Sequence, residues 1–297
     1  MGFRKSKYIS MLEISKDILK NIYKDRDTEA RKYDFGLLLV IGGSQFYSGS
    51  PALAGMAAFR AGVDMVRLIA PKRAADIIAS FSPNLAAYPL EGDWLTHNHV
   101  ATLISMTEAG KAVSNGKAAV VIGGGLGRSK ETQDAVIEYL SQVSVPVVVD
   151  ADAIHAVAKN PNVFRGKNFL FTPHSYEFFV LTGKDVLGKP DDEKIKLTET
   201  EALRLQTTIL LKGKADIVSN GKETAVGYAG NAFMTKGGTG DTLAGIAGAI
   251  MARGVDPFTA GQAAAYINGK AGEIASKAKK ESLLATDLIE AIPEAID

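Results

Sequence analysis

The sequence predicts a doubly wound α/β fold: a mostly parallel central sheet, helices on both faces and one late antiparallel hairpin. Three observations carry this. Short β-branched runs alternate with longer amphipathic ones along most of the 297 residues. Several short runs, residues 145–149 among them, are apolar on both faces, as central strands of a parallel sheet must be. Late in the chain, Asn220-Gly221 separates two such runs and reads as a two-residue hairpin turn.

The elements follow in order. The apolar run 37–41 is the first strand. Pro51 suits a first helical turn, which opens a helix over 51–61. Further strands are expected at 63–70, 118–122, 145–149, 168–171 and 208–211, with 216–219 and 223–227 forming the hairpin. Helices are expected between them at 72–80, 129–143, 153–159, 175–181 and 192–205. Two apolar helices follow, 241–253 and 257–277, the second suited to core or interface. Asp287 with Glu290 resembles a capping box that opens a last short helix. Residues 1–33 are charged and helical in pattern, an arm packed outside a domain of residues 34–297.

Bulk composition narrows the function classes. Lys+Arg 34 against Asp+Glu 33 leaves a net charge of +1, which supports no nucleic-acid or membrane-surface partner. With Cys 0, disulfides, thiolate zinc sites and a cysteine nucleophile are excluded. His97, His99, His155 and His174 lack a zinc-ligand spacing. No apolar run is long enough to span a bilayer; a cytoplasmic protein is expected, with which the absence of cysteine is compatible.

Five segments sit just past a strand end or at a helix start, the edge where open α/β sheets bind ligands. Gly42-Gly43-Ser44, followed by Tyr47-Ser48-Gly49-Ser50-Pro51, is either a ligand-approaching turn or an ordinary glycine-rich loop. Gly123-Gly124-Gly125-Leu126-Gly127-Arg128 is a tight turn or an amide-lined wall. It fails the dinucleotide fingerprint, because the third glycine would fall on Arg128. Asp150-Ala151-Asp152-Ala153 offers two carboxylates. Asp150 is the candidate Mg²⁺ ligand, direct or through water, while Asp152 suits helix capping. In Thr172-Pro173-His174-Ser175-Tyr176-Glu177, the histidine opens a helix beside the other loops. Last come Lys212-Gly213-Lys214-Ala215-Asp216 and Gly237-Gly238-Thr239-Gly240-Asp241. A lysine after a strand offers a positive charge to phosphate. Stacked amides at a helix start bind anions. Asp241, in the first helical turn, is a plain cap or a base for an attacking hydroxyl. Three glycines around Thr239 exceed what capping needs and favour the base.

The glycine-rich Gly238-Thr239-Gly240-Asp241 helix start resembles the ribokinase-like superfamily, and the chain more narrowly resembles the NAD(P)H-hydrate dehydratase family. The match rests on Leu39-Val40-Ile41-Gly42-Gly43-Ser44 with Tyr47-Ser48-Gly49, on Arg60-Ala61-Gly62 leading into Val66, and on residues 121–127. Thr172-Pro173-His174 with Glu177, Lys212-Gly213, Gly237–Gly245 and Thr286-Asp287-Leu288-Ile289 complete it. Departures are Ser50, commonly alanine, Gly124, commonly proline, and Ser175-Tyr176 in place of Pro-Gly.

The resemblance implies a ribokinase-like fold and a stand-alone dehydratase domain, since only some thirty residues precede the first strand. It implies ADP-dependent dehydration of hydrated NADH and NADPH, with Mg²⁺ and with ADP, or ATP, as phosphoryl donor. Asp241 would be the catalytic base. Ser50, Gly125, Gly127 and His174 would line the substrate with it. Lys212, Gly213, Lys214, Ala215, Asp216, Gly238, Thr239 and Gly240 would contact the nucleotide. A homotetramer is implied too. The competing reading is a small-molecule kinase of the same superfamily, acting on a hydroxyethylthiazole or a pyridoxal-type alcohol.

Overall fold

The computed structural model describes residues 12–297. Ten strands form one sheet: β1 (Leu12–Glu13), β2 (Leu37–Ile41), β3 (Met65–Pro71), β4 (Ala86–Leu90), β5 (Ala118–Ile122), β6 (Val147–Val149), β7 (Phe169–Phe171), β8 (Thr208–Leu211), β9 (Asp216–Ser219) and β10 (Thr224–Gly227). Their order is β1-β10-β9-β8-β7-β6-β5-β2-β3-β4. From β8 to β4 every pairing is parallel. β9 alone runs against both its neighbours. The expected doubly wound, mostly parallel sheet is present.

Residue alternation along the strands divides the core in two. On β2, Leu38 and Val40 face one cluster. Leu37, Leu39 and Ile41 face the other. The first cluster lies under α1 (Gly49–Arg60), α2 (Lys72–Phe81), α8 (Thr239–Ala252), α9 (Pro257–Lys279) and α10 (Ala285–Ile296). The second lies under α3 (Val100–Val113), α4 (Lys130–Gln142), α5 (Ala151–Val157), α6 (Ser175–Thr182) and α7 (Asp191–Leu205). Strands buried on both faces need apolar residues at every position, which explains the unbroken runs in β2, β5 and β6. α9 is a core helix: Ala260, Ala263, Ala264, Ile267 and Ala271 are all buried.

Besides β4 and α3, which no expected element covers, four details differ from expectation. The described part of the arm holds β1 and a 3-10 helix, Lys16–Asn21, and no α-helix. Nor is it outside the core, because Ile14, Leu19 and Ile22 are buried in the first cluster. The hairpin turn has four residues, with Ser219 paired to Thr224. The Asn220 side chain accepts from the amides of Lys222 (2.9 Å) and Glu223 (2.8 Å), and so closes the longer turn. The last helix opens at Ala285, and its capping acid is Asp287, which accepts the Leu284 N–H at 2.9 Å. Glu290 instead meets Arg60 at 2.7 Å.

β2 is the switch point of the sheet. The chain winds outward through β3 and β4, then returns to lay β5 on the other side of β2. The loops after β2 and β5 therefore part, and a crevice opens between them.

Candidate active site

Five loops end side by side along the carboxyl edge, in the spatial order of β8, β7, β6, β5 and β2. They carry Lys212, Thr172 with His174, Asp150, the Gly123–Arg128 turn and the Gly42 turn. α8 lies on the same face as α1 and brings its N-terminus, Thr239-Gly240-Asp241, over this row.

The loops are held close by backbone contact. The Gly43 amide donates to the Gly124 carbonyl at 2.8 Å, and the Asp150 amide donates to Ile122 O at 3.1 Å. Gly123 has φ +138, and a Cβ there would fall 1.7 Å from the Asp150 carbonyl oxygen. No other residue fits that crossing of β5 and β6 loops.

A buried charge cluster sits at the centre. The Lys212 ammonium donates to Asp150 Oδ1 at 2.9 Å and lies 3.9 Å from Glu177 Oε2. The Thr172 hydroxyl donates to the same Asp150 oxygen at 2.7 Å. Burial works against the lysine's charge, but Asp150 and Glu177 more than offset it, so its pKa is raised. Burial raises the Glu177 pKa, against the pull of Lys212.

Asp241 faces this cluster. It makes no capping bond, and the N-cap position belongs to Gly238. Burial, then the nearby Asp150, push its pKa up to about 7, against the Ser50 hydroxyl and Lys212. A carboxyl group so tuned exchanges a proton near neutral pH, as a general base must. Ser50, Gly42, Gly124, Asp150 and Asp241 border a void of about 10 Å³, the size of a single water.

On the far side of Gly240 opens a cavity of about 880 Å³. Lys212, Gly213, Lys214, Asp216, Thr239 and Gly240, the residues the resemblance gives to the nucleotide, border it, and so does His174, which the resemblance gives to the hydrated substrate. The Asp216 carboxylate accepts the Gly213 amide at 3.0 Å and shapes the turn. Burial pushes its pKa up to about 6. Ala215 is buried in the second core cluster and does not reach the cavity. Gly238 lies outside the lining as well, against Leu53 and Ala285.

His174 caps α6. Its Nδ1 accepts the amides of Tyr176 (3.2 Å) and Glu177 (3.4 Å), and Glu177 returns the bond by accepting the His174 N–H at 2.9 Å. With the Nδ1 lone pair engaged, Nε2 carries the proton of the neutral ring. Nε2 itself lies 3.4 Å from Glu177 Oε1, and the capping box at His174 is made with Ser175-Tyr176 in the loop. The His174 side chain is about half exposed.

Two carboxylates depart from expectation. Asp152 caps nothing: it accepts the Gly127 amide (2.9 Å) and the Arg128 Nε–H (2.7 Å). Asp150, the candidate Mg²⁺ ligand, has Oδ1 committed to an ammonium and a hydroxyl. The ammonium stands where a bound cation would. Among the described residues no group of three or more His, Asp or Glu could hold a metal ion. Asp150 therefore has Oδ2 alone to offer Mg²⁺, as a contact through water beside the nucleotide phosphates and not as part of a protein cage.

The cavity also has walls that the motifs did not mark: residues 228–236, with Tyr228 exposed, and Asn268-Gly269 of α9. Asn268 accepts from the Thr242 hydroxyl at 2.7 Å and donates to Thr239 O at 3.3 Å. A buried asparagine within an alanine-rich helix was the available signal.

Comparison with known proteins bears on this arrangement. A family model described as NAD(P)H-hydrate dehydratase matches residues 38–294. The chain belongs to the NAD(P)H-hydrate dehydratase family. An ADP-dependent (S)-NAD(P)H-hydrate dehydratase of Cenarchaeum symbiosum is 36% identical, over 94% of this chain and 95% of its own length. A bifunctional NAD(P)H-hydrate repair enzyme of Hyperthermus butylicus is 39% identical over 92% of this chain. The chain spans about half the length of the bifunctional members of the NAD(P)H-hydrate dehydratase family that it matches, 51% for this one. A ribokinase-like superfamily protein from Enterococcus faecalis shares the fold, with a TM-score of 0.81 over 99% of this chain and 98% of its own at 23% identity. Among the described residues no helix is long and apolar enough to cross a membrane.

Proposed function

We propose that the protein catalyses ADP-dependent dehydration of (S)-hydrated NADH and NADPH, giving NADH or NADPH, AMP and phosphate, as a metabolite-repair lyase. One observation carries this reading: Asp241, with a pKa near 7, stands between a nucleotide-sized cavity and the Ser50–Gly124 wall. The Cenarchaeum relative, matched along nearly its whole length, supports the choice of ADP.

The hydroxyl on the reduced ring is a poor leaving group. Asp241 takes its proton as the oxygen attacks the terminal phosphorus of ADP, and AMP departs. The carbon–oxygen bond then breaks and phosphate leaves. Loss of a neighbouring C–H proton restores the ring double bond. Lys212 and the amides of Thr239 and Gly240 meet the phosphoryl charge. Ser50, Gly125, Gly127 and His174 hold the nicotinamide end. Mg²⁺ belongs to this reading as counter-ion of the nucleotide phosphates, arriving with them and not from a protein cage. A cytoplasmic homo-oligomer, a tetramer by family resemblance, completes it and is checked by light scattering.

Purified protein given hydrated NADH, with ADP or ATP separately, tests the reading. Recovery of NADH absorbance with release of phosphate is expected. A stable phosphate ester would instead assign a kinase for a hydroxyethylthiazole or pyridoxal-type alcohol.

Two further outcomes are expected. kcat/KM rises with pH through about 7, because Asp241 acts only when deprotonated. Asp150→Asn removes a negative neighbour and should move that limb to lower pH; a stationary limb would separate Asp150 from the base. His174→Ala should raise KM for the hydrated substrate more than KM for ADP, since the family resemblance gives His174 to the substrate although it borders the Lys212 cavity. Equal losses would contradict that role.

A further inference from the structure

The Gly123–Arg128 turn runs outward from Asp241. At its inner end, a Cβ on Gly124 would lie 3.0 Å from Asp241 Oδ1 and 2.8 Å from Ser50 Cβ. At its outer end stands Arg128, whose side chain is 53% exposed, paired with an Asp152 side chain only 16% exposed. We propose that Arg128 is a phosphate-binding residue of the substrate cleft, aimed by Asp152 at the pyrophosphate of the hydrated dinucleotide. The proposal rests on the dehydratase reading above.

The geometry of the pair carries the argument. An arginine that merely stabilises a fold pairs best through two parallel bonds to both oxygens of a carboxylate. Here Asp152 Oδ1 accepts only Nε, and Oδ2 is spent on the Gly127 amide. The carboxylate locks turn and side chain together. Neither Nη1 nor Nη2 has a hydrogen-bond partner among the described residues. The outer edge of the guanidinium, with its forked donors, is left for a ligand, and that fork matches phosphate oxygens.

Its surroundings place that edge on the substrate side. A Cβ on Gly127 would fall 2.7 Å from Trp94 Cζ3, so Trp94 lies against the turn just before Arg128. On the other side stands His155, whose ring is 6.0 Å from that of Tyr176; Tyr176 stacks near His174 at 6.5 Å. Burial first, then the charge of Arg128, lower the His155 pKa, and Asp152 opposes them. Arg128 thus stands at the outer end of the turn that meets Asp241 at Gly124, while His174 borders the Lys212 cavity. With the nicotinamide ring at Asp241, the pyrophosphate lies one ribose further out, along this turn. The Lys212 cavity is on the opposite side of Asp241 and serves the other nucleotide. An ordinary exposed ion pair explains neither the single Nε contact nor the shared Gly127 amide.

Trp94 is the sole tryptophan, and its emission reports events at the turn. Full-length wild type, Arg128→Met and Arg128→Lys are titrated by calorimetry and fluorescence with NADH, with reduced nicotinamide riboside, which has no phosphate, and with ADP. Arg128→Met should weaken NADH about tenfold or more, the loss of one or two charge-assisted hydrogen bonds. It should leave the riboside and ADP unchanged. Arg128→Lys should recover part of the loss. In turnover, KM for hydrated NADH should rise while kcat holds. Unchanged NADH affinity, or equal loss for NADH and the riboside, overturns the assignment. A wild type that repairs the hydrate beside an Arg128→Met of normal KM overturns Arg128 alone. A wild type that neither binds NADH nor repairs the hydrate overturns the dehydratase reading and this assignment with it.

Discussion

Asp241→Asn is expected to lower kcat by about 10²- to 10⁴-fold while ADP still binds, because the cavity walls and Lys212 are untouched. Isothermal titration with ADP beside the absorbance assay separates the two effects. Near-normal turnover would remove Asp241 from the mechanism. The same change should make the protein more stable above neutral pH. The folded-state pKa is raised from 3.8 to about 7. The folded chain thus holds a proton that the unfolded chain releases. The group's stabilising contribution is complete below the unfolded value and lost as pH rises through the folded one. Asparagine carries no such penalty. At pH 8 its melting temperature should exceed that of wild type by about 2–4 °C for each kcal/mol so regained, and the gap should shrink towards pH 4. A gain that stays constant with pH would mean that packing, not ionisation, sets it.

Lys212→Met removes the one ammonium that contacts both Asp150 and Glu177 among the described residues. Two buried carboxylates then face each other and Asp241. Breaking such a pair from one side costs about 3–5 kcal/mol, which urea denaturation would register. ADP affinity should fall too, since the ammonium lies 3.3 Å from the Cβ position of Gly240, at the cavity mouth. Adding Asp150→Asn should recover part of the stability and none of the ADP affinity. Recovery of both would make Lys212 a structural partner of Asp150 and nothing more.

Central strands were the most legible part of the sequence. β2, β5 and β8 lie at 37–41, 118–122 and 208–211, as their apolar runs indicate. β4 escaped because its residues Ala86-Ala87-Tyr88-Pro89-Leu90 are largely exposed and include a proline. Proline lacks an N–H for a ladder, yet an edge strand tolerates it, and β4 is an edge. α3 escaped because threonine, serine and glycine break its apolar spacing. At the site, glycine turns and strand-end polar residues were readable, since both follow from topology. Asp152 was not: a carboxylate in a first helical turn looks the same whether it caps or reaches a loop 24 residues back. Residues 228–236 carry no motif and become a wall only when α9 packs behind them.

β1 has only two residues, but it lies along β10, and β10 leads directly into Tyr228 and the cavity wall. A sheet edge left bare offers a row of unpaired amides and carbonyls to any passing strand. Removing residues 1–22 would uncover β10 and take Ile14, Leu19 and Ile22 from the core. The shortened chain should self-associate through that edge and lose nucleotide affinity in the same step. The N-terminal segment is thus a guard against sheet-to-sheet aggregation as much as a piece of the fold.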